Sequence, residues 1–231
     1  MASIIDSFRD VATDKLAFLK LVILTIPVYY SYQVYMGSKS GYGWFFVIAG
    51  ITLFFLLGFF IKIVNNMLVA ANSVLPSLNP FSLGFVALKG LVAILPVSWI
   101  SIWLANKVTS IIYIIPWLDM TLKVSIWLVV TAIIMTALLM FCTKESIKDV
   151  FNFKLLSKAS GDMILALIFF VIQLVIINLP TVGFVGYTLK ILFDYGPVFN
   201  FFVALAVVFN VAVSAHYMAQ VHYELLGLEA G

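Results

Sequence analysis

Six long apolar runs divide this chain, separated by short stretches where charges and turn residues collect. A membrane-spanning helix needs about 20 apolar residues. The runs predict spans at residues 16–36, 44–72, 91–107, 124–142, 162–179 and 197–223. In the first, Lys20 sits one turn in, where its stem can snorkel to the headgroups. Tyr29, Tyr30, Tyr32 and Tyr35 crowd its other end, as interfacial aromatics do. The second run is longer than a bilayer requires. At 1.5 Å per residue, Lys62 lies ~27 Å beyond Trp44, so Lys62, Asn65, Asn66 and Asn72 fall at or past the membrane edge.

Two of the intervening stretches read as amphipathic elbows. In residues 73–90, Asn79 followed by Pro80 is a helix start. Phe81, Phe85 and Leu88 then recur at helical spacing, predicting a short in-plane helix before the third span. Residues 144–162, KESIKDVFNFKLLSKASGD, carry Lys144, Lys148, Lys154 and Lys158 opposite an apolar face of Ile147, Val150, Phe151 and Leu155. They predict a second in-plane helix, ended at Ser160 and Gly161. The connections at 108–123 and 180–195 are apolar for loops and read as interfacial segments or covers over the bundle. Residues 1–15 lack the basic, apolar, small-residue order of a signal peptide and read as a cytoplasmic leader on the membrane surface. The expectation is a single polytopic membrane domain over residues 1–231. Its fold class is all-α, an integral membrane bundle of about six transmembrane helices with short amphipathic in-plane helices on the cytoplasmic face. A weak internal repeat, hairpin plus elbow, accompanies it.

Composition sharpens this reading. The 231 residues are 64% hydrophobic and 10% charged, whereas a soluble domain is roughly a quarter charged. A net charge of +3 gives no reason to expect a nucleic-acid partner. Arg9, Lys15, Lys20, Lys62, Lys89 and the four elbow lysines lie on the N-terminal side, against Lys39, Lys107, Lys123 and Lys190 opposite. The excess predicts cytoplasmic termini. The single cysteine, Cys142, excludes an intramolecular disulfide. It reads as a buried thiol or a palmitoylation site.

Candidate chemistry is sparse. His216 and His222 are six apart, about 120° around a helix, and cannot share one metal. His216 and Gln220 share a face, and Lys62, Asn65 and Asn66 fall at similar depth, so these groups could line a cytoplasm-facing polar recess. The deepest polar residues, Gln173 and Asn210, sit on consecutive antiparallel spans and could hydrogen-bond across that hairpin or contact a substrate. No acidic residue lies deep in a span, which argues against a carboxylate proton relay. HExxH, GxSxG, Walker, EF-hand and paired Cys/His patterns are absent from the sequence. The reading is therefore non-enzymatic and without a cofactor: an accessory or scaffold protein that partners membrane lipids, a membrane-protein complex or its own copies. The alternative is a transporter or lipid-handling permease.

Three segments carry a resemblance: LNPFSLGFVALKGLVAILP (78–96), FKLLSKASGDMILALIFF (153–170) and AHYMAQVHYEL (215–225). They resemble a family of prokaryotic multi-pass membrane proteins catalogued as domain of unknown function 4013. That family has similar amphipathic elbows and Lys-then-Gly approaches to its spans. Its last span closes on residues matched here by Ala215, His216, Tyr217, Gln220 and Tyr223. Where the family has a basic residue after the last tyrosine, this chain has Glu224. The resemblance implies a bacterial or archaeal plasma membrane and carries over no catalytic residue or substrate.

Overall fold

The computed structural model describes residues 2–37, 42–111, 116–193 and 196–225. Lys39, Asp194, Tyr195, residues 112–115 of the first apolar connection and the tail from residue 226 lie outside the described residues.

The described chain is almost entirely helical, with no strand among the described residues. An amphipathic α1 (Ile4–Thr13) precedes α2 (Ala17–Gly37), α3 (Tyr42–Leu68), α4 (Pro80–Ile111), α5 (Pro116–Lys144), a single turn α6 (Ile147–Val150) and α7 (Phe153–Asn178). A π-helical stretch, Leu179–Phe184, leads into α8 (Val185–Phe193), and α9 (Pro197–Leu225) closes the described chain. Six of these helices are long and apolar enough to cross a membrane. The protein is an all-α, multi-pass membrane bundle. In hydrocarbon every backbone group needs an internal partner, and a helix supplies that within one segment.

Helix α3 is central and packs against α2, α4, α5 and α9; α7 packs on α5, and α8 folds against α9. The α3–α4 crossing is close because Gly58 has no side chain: a Cβ there would collide with the Leu83 carbonyl. Small residues permit such approaches where no hydrophobic effect drives helix association.

Three expectations change. The in-plane helix expected before the third span is the first part of α4, a single helix running through Gly90. The buried stripe Leu83, Val86, Ala93, Val97 and Ala105 continues across that point at helical spacing. Gly90 is used for packing instead, since a Cβ would sit 2.6 Å from Ile61 Cδ1. The lysine-rich elbow breaks earlier than expected, at Phe151 and Asn152, where the Asn152 side chain caps α7. Helix α7 then runs straight through Ser160 and Gly161, and Ser160 bonds back to the Leu156 carbonyl. The segment after Pro180, expected as a loop, is the π-helical stretch and α8. A widened turn accommodates a proline that has no N–H to donate.

Candidate functional site

The site is built around α1. Ser3 starts the helix, its hydroxyl accepting from the Asp6 N–H at 3.3 Å. Ile4, Ser7 and Val11 are buried, while Arg9 is exposed and paired with Asp6 and Asp10. A helix N-terminus leaves backbone N–H groups without intrahelical acceptors. Here two glutamines from other helices supply acceptors. The Ser3 N–H donates to Gln220 Oε1 at 2.7 Å, and the Ile4 N–H donates to Gln173 Oε1 at 3.3 Å.

One turn on, Ser7 Oγ is hydrogen bonded to His216 Nδ1 at 3.0 Å and accepts from Gln220 Nε2 at 3.2 Å. His216 Nε2 faces the Asp10 carboxylate at 3.6 Å and has no hydrogen-bond partner among the described residues. Phe8 packs edge-on against Phe209, with ring centroids 4.6 Å apart. The turn after α1 is tied down as well. Asp14 accepts from the Val74 and Leu75 N–H groups at 3.3 and 2.9 Å. Lys20 donates to the Leu75 carbonyl at 2.7 Å and lies 3.6 Å from the Asp14 carboxylate. The leader thus covers Gln173, His216 and Gln220 and anchors the loop between α3 and α4.

The other predicted residues go elsewhere. Lys62 pairs with Glu145 at 2.8 Å, and Asn65 donates to the Cys142 carbonyl at 3.1 Å, both joining α3 to the end of α5. Asn66 donates to the Ser73 and Val74 carbonyls at 3.3 Å. Lys62 and Asn66 also line a polar pocket of about 380 Å³ with Asn72, Ser73, Ser77 and Ser82, where the α3–α4 loop folds back. Asn210 does not meet Gln173; it exchanges two 2.9 Å amide hydrogen bonds with Asn178. Asn178 lies five residues further along α7 than Gln173, ~7.5 Å toward the other end of the helix. His222 Nε2 is 2.7 Å from Thr143 Oγ1, tying α9 to α5 well apart from His216. The Cys142 thiol is fully buried. Among the described residues no group of three His, Cys, Asp or Glu side chains could hold a metal.

Sequence reasoning missed Ser7, Asp10, Asn178 and Glu145. Of these, Ser7 carried a usable signal. Ser3 and Asp6 are spaced as a helix start, and Ile4, Val11 and the intervening Ser7 and Phe8 recur at helical intervals on one face.

No protein-family model, no curated protein and no solved structure matches the chain.

Proposed function

We propose that the protein is a non-enzymatic accessory or scaffold subunit that associates with other membrane proteins or its own copies and contacts lipid. In this reading it lies in a prokaryotic plasma membrane with its termini and the lysine-rich elbow toward the cytoplasm. One observation carries it. All seven polar side chains singled out from the sequence are engaged within the chain, at separate places: the α1 dock, the end of α5, the α3–α4 loop and Asn178. A transport path needs its polar groups to converge. The lipid-facing surface, by contrast, offers large apolar side chains such as Trp99, Trp103 and Phe169 to a neighbour.

A lipid-handling permease is the second reading, favoured by the polar pocket beside Lys62 and Asn66. Native mass spectrometry of the endogenous protein in a mild detergent separates the two. Subunits co-purifying in fixed stoichiometry support the scaffold. A lone protomer or homo-oligomer holding one specific small molecule supports the permease.

A further inference from the structure

A cleft of about 360 Å³ opens between α1, α2 and α9. Phe8 and Ala12 line it from α1, Leu21 from α2, and Phe202 and Phe209 from α9, with Asn178 and Asn210 as its polar members. That pair offers nothing to a polar ligand that needs a donor. All four amide hydrogens of that pair are already engaged, two with each other's carbonyls and two with the Leu174 and Ala206 carbonyls. Both α2 and α9 are long and apolar enough to cross a membrane, so an apolar cleft beside them is suited to hydrocarbon rather than to water. An unfilled void would forfeit the dispersion contacts of its lining.

The mouth has a charge. Lys15 lies in the turn between Ala12 and Ala17, both of which line the cleft, and its side chain is exposed. That turn is sharp, with Leu16 at φ 59°. Arg9 is paired with Asp6 and Asp10, and Lys20 with Asp14. Lys15 has no such partner among the described residues. An apolar slot with a cation at its rim is complementary to an amphiphile with a negative head.

We propose that this cleft seats one acyl chain of an anionic phospholipid, with the lipid phosphate against Lys15. The inference rests on the lipid-contacting part of the function proposed above and needs no partner subunit. Failure to find subunits by native mass spectrometry would count against the scaffold alone; the experiment below addresses the cleft alone.

Full-length protein is reconstituted in phosphatidylethanolamine vesicles containing phosphatidylglycerol with a photoactivatable group on its acyl chain, and adducts are mapped by mass spectrometry. Adducts should concentrate on residues 17–21 and 202–209 over the freely lipid-facing surface of α4 at Leu95 and Trp99. Ala206→Phe, which fills the cleft, should abolish that concentration while leaving the α4 adducts. Ala12 is exposed, so Ala12→Phe narrows the mouth without entering the packed bundle and should act in the same direction. Lys15→Ser should lower the preference for the phosphatidylglycerol probe over a phosphatidylcholine probe about fivefold, the effect of one lysine near a charged membrane surface. Equal labelling of the cleft and α4, or cleft labelling unchanged by both filling variants, would overturn the site. Cleft labelling that is indifferent to headgroup and to Lys15→Ser would overturn the anionic assignment.

Discussion

Ser7 Oγ and His216 Nδ1 are joined by a buried 3.0 Å hydrogen bond across 209 positions of sequence. Four residues earlier on α1, Ser3 meets Gln220, four residues later on α9. A step of one turn along α1 therefore matches a step of one turn back along α9, and the two helices dock antiparallel in a fixed register.

Removing the Ser7 hydroxyl should loosen that dock. Ser7→Ala removes one partner each from His216 Nδ1 and Gln220 Nε2, which keep only their mutual 3.3 Å contact, a loss of about 1–3 kcal/mol. Hydrogen exchange across residues 4–13 should then rise about 5- to 150-fold, while the core of α3 stays protected. Exchange equal to wild type would show that Phe8 and Val11 hold the helix alone.

Gly58 should tolerate no side chain. Gly58→Ala drives a methyl into the Leu83 carbonyl, and the backbone cannot yield as a flexible side chain would. The expected loss is about 1–3 kcal/mol, read as a fall in thermal unfolding temperature in detergent. Gly50, on the same helix, has nothing within 4 Å of its would-be Cβ. Gly50→Ala should be neutral or stabilising by up to about 1 kcal/mol, since alanine restricts the unfolded chain.

The six spans were legible because about 20 apolar residues in a row admit few other structures. What happens between spans was less so. Gly90 and Gly161 looked like breaks by the rules of soluble helices. At the membrane a helix end exposes backbone groups, and at Gly90 the buried stripe continues, so α4 continues with it. The candidate recess rests on depth along each span, and depth alone does not say which way a side chain turns. Gln173 and Asn210 are both deep, yet one caps α1 and the other pairs with Asn178. The α1 face was visible in the sequence; its partner on α9 is a long-range choice that periodicity does not encode.

Ala70 marks a site where glycine fits better. The Ala71 N–H donates to the Asn66 carbonyl at 2.9 Å and the Ala70 N–H to the Met67 carbonyl at 3.2 Å. This is the Schellman pattern that ends α3, with Ala70 at φ 50° where glycine is usual. Ala70→Gly should stabilise by about 1 kcal/mol by relieving left-handed strain, seen as a higher unfolding midpoint. An unchanged or lower midpoint would mean that the Tyr223 hydroxyl, which donates to the Met67 and Leu68 carbonyls, already sets the local stability.

Lys62 and Glu145 should act as one unit. Their side chains are each 23% exposed, so solvent screens the pair and its contribution should be about 1 kcal/mol or less. Lys62→Met should lower stability by that amount in wild type and by almost nothing in a Glu145→Gln background. The coupling should shrink as salt is raised. Equal losses in both backgrounds would show that the Lys62 stem matters through packing.

The Asn178–Asn210 pair tests structure against transport most directly. Either single change to leucine strands the other amide at membrane depth, where water is scarce. Amide pairs of this kind in membrane bundles couple by about 0.6–1.7 kcal/mol, so Asn178→Leu or Asn210→Leu should lower stability by a similar amount. The double leucine variant removes both polar groups together and should recover much of that loss. If the pair is only a clamp, the recovered variant should also keep its co-purifying partners and the growth phenotype of wild type. If the amides line a path, the double variant should fold as well as wild type and still fail in the cell. That combination, stability restored with function lost, would reject the scaffold reading in favour of the permease.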